Sequence, residues 1–270
     1  MKHARVAFQG SIRRASADPA ERLLRFDDGQ QARFDDVVWL PPVEPRTAFA
    51  LGLNYADRAK ELSFKAPDKP LVFLKGPSTF VGHYGASPCP DDVRQMHFEC
   101  ELAVVIGKRG RRIRQEHAYD HVAGYTVAND YAFRDYLENF YRPNLRVKSR
   151  DLCTPLGPWL VDAEEIADPM NLNLCTTVNG EVVQQGNTRN MIFSIPAIIE
   201  YLSEFMTLSP GDIILTGSPE GVRYLKPGDE VVTEIEQIGA LVNRIIAEPR
   251  GRREPTQHHA QASPLAALNP

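Results

Sequence analysis

Cysteine is scarce and unpaired. Cys89, Cys100, Cys153 and Cys175 stand apart with no metal-site or disulfide spacing, which excludes a zinc ribbon or disulfide scaffold and fits a reducing compartment. No apolar run is long enough to span a bilayer, and the opening MKHARVAFQGSIRR lacks an apolar signal core. A cytoplasmic protein without a membrane partner is therefore expected. The formal net charge is only −4 and no block of one sign stands out, so nucleic acid is not expected as a partner. There is no Gly-x-Ser-x-Gly elbow, no cysteine beside a credible histidine and no glycine-rich loop after a strand. Nucleophilic hydrolases and nucleotide-binding folds lose their usual signals.

What remains is a chain of 270 residues, 43% hydrophobic, enough for a substantial core. Short alternating runs between turns dominate, with few helical stretches and no βαβ series, so a mainly β (α+β) fold is expected. Residues 1–47 read as a small β-rich N-terminal segment closing on Pro41, Pro42 and Pro45; 48–248 read as the main domain; 249–270, rich in Pro, Arg, His and Ala, read as a disordered tail in which His258 and His259 are solvated. Asn179-Gly180 is a type I′ hairpin signal. Asn54 is placed to cap a helix running to Leu62, and Ser194 to cap IPAIIEYLSEFM, with Pro196 in its first turn. YAFRDYLENFY reads as a further helix, followed by a basic loop, RPNLRVKSRD.

The chemistry concentrates in HFECELAVVIGK. Glu99 and Glu101 are two apart on an apolar strand and so share a face. Paired carboxylates on a half-buried surface need a shared proton, a Lys or Arg, or a metal between them. Asp130 ends the next strand-like run, VAGYTVAND, and adds a third oxygen donor. Hard oxygen donors without His or Cys suit Mg²⁺, Mn²⁺ or Ca²⁺ better than zinc. Plainer readings stand beside this one: Glu-x-Glu as a solvated outer face, Asp130 as a helix cap, and the basic loop holding Arg142, Arg146, Lys148 and Arg150 as a solvated loop. His97 shares the glutamate face, either supporting the acids or satisfied within the strand. Cys100 points to the opposite face as a small buried hydrophobe. Arg134 would lie one helical turn after Asp130.

LGLNYADRAKEL, LVFLKGPST, HFECELAVVIGK, VAGYTVANDYAFRD, LRVKSRD, VNGEVVQQG and LTGSPEGV, in this order between Phe49 and Glu248, resemble the fumarylacetoacetate hydrolase superfamily. Within it, NDYAFRDYLENFYRPNLRVKSRD and IEYLSEFMTLSPGD are most similar to the decarboxylase/isomerase branch of 4-hydroxyphenylacetate (homoprotocatechuate) meta-cleavage. The resemblance implies a mixed β-roll, a rolled sheet around a divalent metal with few short helices, in a homodimer. It implies Glu99, Glu101 and Asp130 as metal ligands, Lys148 as the active-site lysine, and Arg134 and Thr216 as substrate contacts. Lys75 is implied near the pocket, and the Asn54–Leu62 helix as a mobile lid.

Two departures from the family pattern bear on the reaction. The lid histidine is replaced by Arg58 while its partner Glu61 is retained, so proton transfer falls to Glu61, Lys148 or water, and Arg58 is available for a distal substrate carboxylate. Leu137 stands where C–C bond hydrolases tend to carry glutamine, which disfavours hydrolysis. The resemblance thus implies a Mg²⁺- or Mn²⁺-dependent decarboxylase/isomerase of unsaturated 2-oxo (2-hydroxydienoic) di- and tricarboxylates, acting through a dienolate held on the cation. The same site in an acylpyruvate or fumarylpyruvate hydrolase, in an oxaloacetate decarboxylase, or in a non-catalytic oxo-acid-binding relative are the alternatives.

Overall fold

The computed structural model describes residues 1–63, 65–137 and 145–249. Strands outnumber helices throughout. A long mixed sheet runs, in spatial order, through Gln31–Arg33, Leu23–Phe26, Ser11–Asp18, Lys2–Phe8, Thr154–Asp162, Val122–Asn129, Cys100–Ile106, Ile213–Leu215, Ala48–Gly52 and Leu71–Lys75. The N-terminal strands are continuous with it, because Lys2 and His3 pair with Val161 and Leu160. Ile213–Leu215 is inserted antiparallel to Cys100–Ile106 and parallel to Ala48–Gly52. A second sheet joins Glu181–Asn187, Asn173–Val178, Glu230–Ile235, Gly239–Ala247 and Ala86–Cys89. The mixed, mainly β architecture expected from the turn spacing is what the chain adopts.

Local rules account for several elements. Asn179 and Gly180 both have positive φ (52° and 81°) in the tight turn between Asn173–Val178 and Glu181–Asn187, as a type I′ turn requires. The helices are α1 (Ala56–Glu61), α2 (Leu145–Lys148) and α3 (Ile195–Phe205). Ser194 Oγ accepts from the Ala197 N–H at 3.3 Å at the start of α3. That helix buries Ile195, Ile198, Ile199 and Leu202, the i, i+3, i+4, i+7 stripe of an amphipathic helix. These side chains join the main core with Leu102, Val104, Tyr125 and Trp159.

Three expectations need correction. Asn54 does not cap α1; the N-cap position falls on Tyr55 and carries no side-chain cap bond. The helix expected over residues 131–141 is instead a two-residue strand, Ala132–Phe133, paired with Met96–His97, then a 3₁₀ turn at Arg134–Tyr136; residues 138–141 lie outside the described residues. Tertiary strand pairing overrides the local helical pattern here. Part of the expected basic loop is helical, as α2, whereas Arg142 lies outside the described residues, as do residues 250–270 of the expected tail with His258 and His259. No helix among the described residues is long and apolar enough to cross a membrane.

Candidate functional site

Every residue of Cys100–Ile106 is buried between Val122–Asn129 and Ile213–Leu215. Glu101 is the second residue of this strand and pairs with Ala128. Asp130 immediately follows Val122–Asn129, and its N–H donates to the Glu99 carbonyl at 2.9 Å. Glu99 lies one residue before the strand rather than on it, since its own N–H donates to Asn129 Oδ1 (2.9 Å). The three acids still converge, with one oxygen from each within 4.8 Å of the others. Asp130 caps no helix, and Cys100 packs into the main core, away from this cluster.

Two lysines penetrate the cluster. Lys148, at the end of α2, places Nζ 2.6 Å from Glu99 Oε2 and 3.0 Å from Asp130 Oδ2, and donates to the Asp130 carbonyl. Lys75, expected near the substrate pocket, has a side chain with 0% exposure; it donates to Asp130 Oδ1 and to the Lys148 carbonyl. His97 Nε2 lies 2.8 Å from Glu99 Oε1, so this histidine is tied to the acids.

The charges respond accordingly. Burial raises the proton affinity of Glu99, but Lys148 and His97 outweigh it and hold its carboxyl far below the usual range. Glu101 has no such partner: burial first, then Asp130 and Glu99, push its carboxyl well above the usual value. Burial opposes the charge on Lys148, yet Asp130, Glu99 and Glu101 together raise it above an ordinary lysine. Burial depresses His97, with Lys148 and Arg58 adding to the effect against the pull of Glu99.

A divalent cation fits this donor set. Three carboxylates against two ammonium groups leave one negative charge uncompensated. Of the triad's oxygens, Glu101 Oε1 is buried with no hydrogen-bond partner among the described residues, and Asp130 Oδ2 meets only the Lys148 ammonium, at 3.0 Å. A buried oxygen without a donor is costly unless a proton or cation meets it, and an all-oxygen set suits a hard cation.

Near the triad, helix α1, expected as a lid, holds Arg58 at 7% exposure, ion-paired with Glu61 one turn on. Thr216 is fully buried and its hydroxyl donates to the Leu102 carbonyl at 2.9 Å, so that proton is already in use. Arg134 is exposed on its 3₁₀ turn, not on a helix face shared with Asp130, and makes no ion pair among the described residues. Leu137 is also exposed. Sequence reasoning missed Asn129, whose amide bridges the Glu99 N–H and Thr233 Oγ1; an amide at the end of an apolar strand, beside Asp130, is the signal that could have found it. A cleft of about 1010 Å³ includes His3, Arg14 and Arg46 but no residue of the triad.

Comparison with known proteins shows the family. Residues 47–246 match the model of the fumarylacetoacetate (FAA) hydrolase C-terminal family. The chain is 58% identical over 217 residues to a 4-hydroxyphenylacetate degradation bifunctional isomerase/decarboxylase of Salmonella dublin, covering 80% of this chain and 50% of that protein. It is 60% identical over 202 residues to the protein of the same name from Escherichia coli, covering 75% and 47%. The chain thus spans about half the length of these curated relatives. The crystal structure of 2-hydroxyhepta-2,4-diene-1,7-dioate isomerase from Mycobacterium marinum superposes with a TM-score of 0.82 at 33% identity, over 93% of this chain and all of that one. With the acidic cluster inside the matched region and the rolled sheet reproduced, the chain belongs to the fumarylacetoacetate hydrolase family.

Proposed function

We propose that this protein is a divalent-cation-dependent decarboxylase/isomerase of unsaturated 2-oxo (2-hydroxydienoic) polycarboxylates in aromatic meta-cleavage catabolism. The triad Glu99, Glu101 and Asp130, with Glu101 Oε1 buried and unpartnered, carries the reading. The names of the relatives at 58% and 60% identity support the substrate class. Mg²⁺ or Mn²⁺ held by the triad would supply Lewis-acid polarisation of the 2-oxo group.

The chain's own groups do the rest. Lys148, kept charged by three carboxylates, stabilises the negative charge that develops as the bond to the departing CO₂ breaks and its electron pair spreads into the conjugated system. Glu61, one-third exposed on the lid, carries the proton to carbon; in the isomerisation the substrate's 2-hydroxyl gives up its proton as the 2-oxo group forms, the double bonds shift, and Glu61 delivers a proton to the far carbon of the diene. Arg58 binds a distal carboxylate, with Arg134 on the approach and Thr216, fully buried, supporting the substrate contact from beneath. Lys75 acts from behind the site, holding Asp130 and the Lys148 backbone. Leu137 offers no hydrogen bond to a hydrolytic water. Residues 1–47 form a β-rich lead-in to the catalytic domain at 48–248. A cytoplasmic homodimer completes the reading, on family resemblance, and light scattering checks the assembly.

The test is a substrate panel of 5-oxopent-3-ene-1,2,5-tricarboxylate, 2-hydroxyhepta-2,4-diene-1,7-dioate, an acylpyruvate and oxaloacetate, each with defined metals. CO₂ release from the first and isomerisation of the second are expected. Efficient acylpyruvate cleavage, or activity on oxaloacetate alone, would overturn the proposal. Glu101→Ala should abolish metal-dependent turnover with the fold retained; full activity in that variant, or in excess EDTA, would refute the role given to the triad.

A further inference from the structure

Asn54 sits at the root of α1, 1% exposed, and its side chain bridges other segments instead of capping the helix. Its Nδ2 donates to the carbonyls of Thr216 (2.8 Å) and Phe193 (3.1 Å), and its Oδ1 accepts from the Phe193 N–H (2.8 Å). The Thr216 carbonyl belongs to the same peptide unit as the Gly217 N–H. That N–H donates to Glu101 Oε2 at 2.7 Å, the hydrogen bond this carboxyl receives among the described residues.

The approach is close. Gly217 has φ +87°, and a Cβ there would stand 2.9 Å from Asn54 Cβ, so a side chain would drive the two segments apart. Thr216 is pinned from the other side, donating through both its N–H (3.1 Å) and its hydroxyl (2.9 Å) to the carbonyl of Leu102, the residue after Glu101. A peptide whose carbonyl accepts a hydrogen bond offers a stronger N–H donor, because bonds in a chain polarise one another.

We propose that Asn54 is a positioning residue that ties the root of the lid to Glu101 through the Thr216–Gly217 peptide unit, so that lid order and cation affinity are coupled. The inference rests on Glu101 being a cation ligand, as proposed above. Coupling of this kind is reciprocal. A cation on the triad tightens residues 54–62, and loosening Asn54 weakens the cation's hold.

The experiment is Mn²⁺ binding without substrate, followed by calorimetry, for the intact chain and for Asn54→Ala, Asn54→Asp and Glu101→Ala. Both Asn54 variants should bind Mn²⁺ about tenfold more weakly, the scale on which outer hydrogen-bond partners tune metal sites. Asn54→Asp keeps the acceptor for the Phe193 N–H but sets an anionic oxygen against the Thr216 and Phe193 carbonyls. If Asn54 merely anchored the lid to Phe193, this variant would bind Mn²⁺ like the wild type, and that result overturns the proposal. A measurement needing no variant is hydrogen–deuterium exchange of the wild type, in which saturating Mn²⁺ should slow exchange across 54–62; unchanged exchange overturns the coupling. Should Glu101→Ala bind Mn²⁺ normally, the ligand set itself fails and the inference with it. Should Glu101→Ala lose binding while both Asn54 variants keep it, only the coupling fails.

Discussion

Lys75 and Asp130 form a fully enclosed ion pair, Nζ 2.5 Å from Oδ1, with side chains 0% and 1% exposed. Lys75 reaches the acidic cluster from its buried side, where water cannot screen the pair. Removing Lys75 leaves Asp130 only the Lys148 ammonium, which it shares with Glu99, so negative charge is buried in excess. Lys75→Met should therefore cost about 3 kcal/mol of stability, measured by urea unfolding in EDTA. A loss under about 1 kcal/mol, the scale of a surface pair, would contradict it.

Arg58 offers a different kind of test. Its guanidinium is nearly buried beside Glu61 and within electrostatic reach of His97. Arg58→Ala should raise KM for a tricarboxylate by about 10-fold or more, as expected for loss of a charge-assisted hydrogen bond, and leave KM for a small 2-oxo acid nearly unchanged. Arg58→His should likewise lose turnover. A large gain in its place would mean that arginine is a degenerate substitute for a proton-handling imidazole.

His83 gives the pH dependence. It is buried against Trp39, and its Nδ1 accepts the Val242 N–H at 3.1 Å. Burial, helped by the Arg22 charge, lowers its pKa to about 3 from an ordinary 6.5. The unfolded chain takes up this proton below pH 6.5 and the folded chain does not, so stability falls as pH drops from 6.5 towards 3. The loss attributable to His83 is about 1.5 kcal/mol between pH 6.5 and 5. His83→Asn, which retains an acceptor, should flatten that part of the stability profile; identical slopes in both proteins would rule the assignment out.

At the hairpin tip, Gly180 holds φ +81° with open space around it. Gly180→Ala should cost about 1–2 kcal/mol from backbone strain alone, read as a lowered Tm. A neutral result would mean that the turn relaxes to another form.

The site was legible in the sequence to the extent that its chemistry is carried by short-range pattern. Glu99, Glu101 and Asp130 stood out because carboxylates are rare on apolar strands, and Cys100–Ile106 with Val122–Asn129 brings them together. Contacts that close over long separations were invisible. Lys75 reaches Asp130 across 55 residues, and Asn54 reaches Thr216 across 162. The segment after Asp130 misled for a related reason: its residues alternate acceptably as a helix, yet Met96–His97 captures Ala132–Phe133 as a strand. Asn54 had the composition of a cap, and only its packing against Gly217 and Phe193 shows its use. Ser194 and Asn179-Gly180 are legible in the sequence because capping and hairpin turns are decided by neighbours in the chain.

The insertion of Ile213–Leu215 between Cys100–Ile106 and Ala48–Gly52 has a consequence for biosynthesis. A growing polypeptide releases the two outer neighbours long before the strand that separates them. Until residue 215 has emerged, both present open backbone edges to the surroundings, and such edges invite pairing with other chains. The last piece to arrive goes to the middle, so the nascent chain depends on slow, late closure of its central sheet.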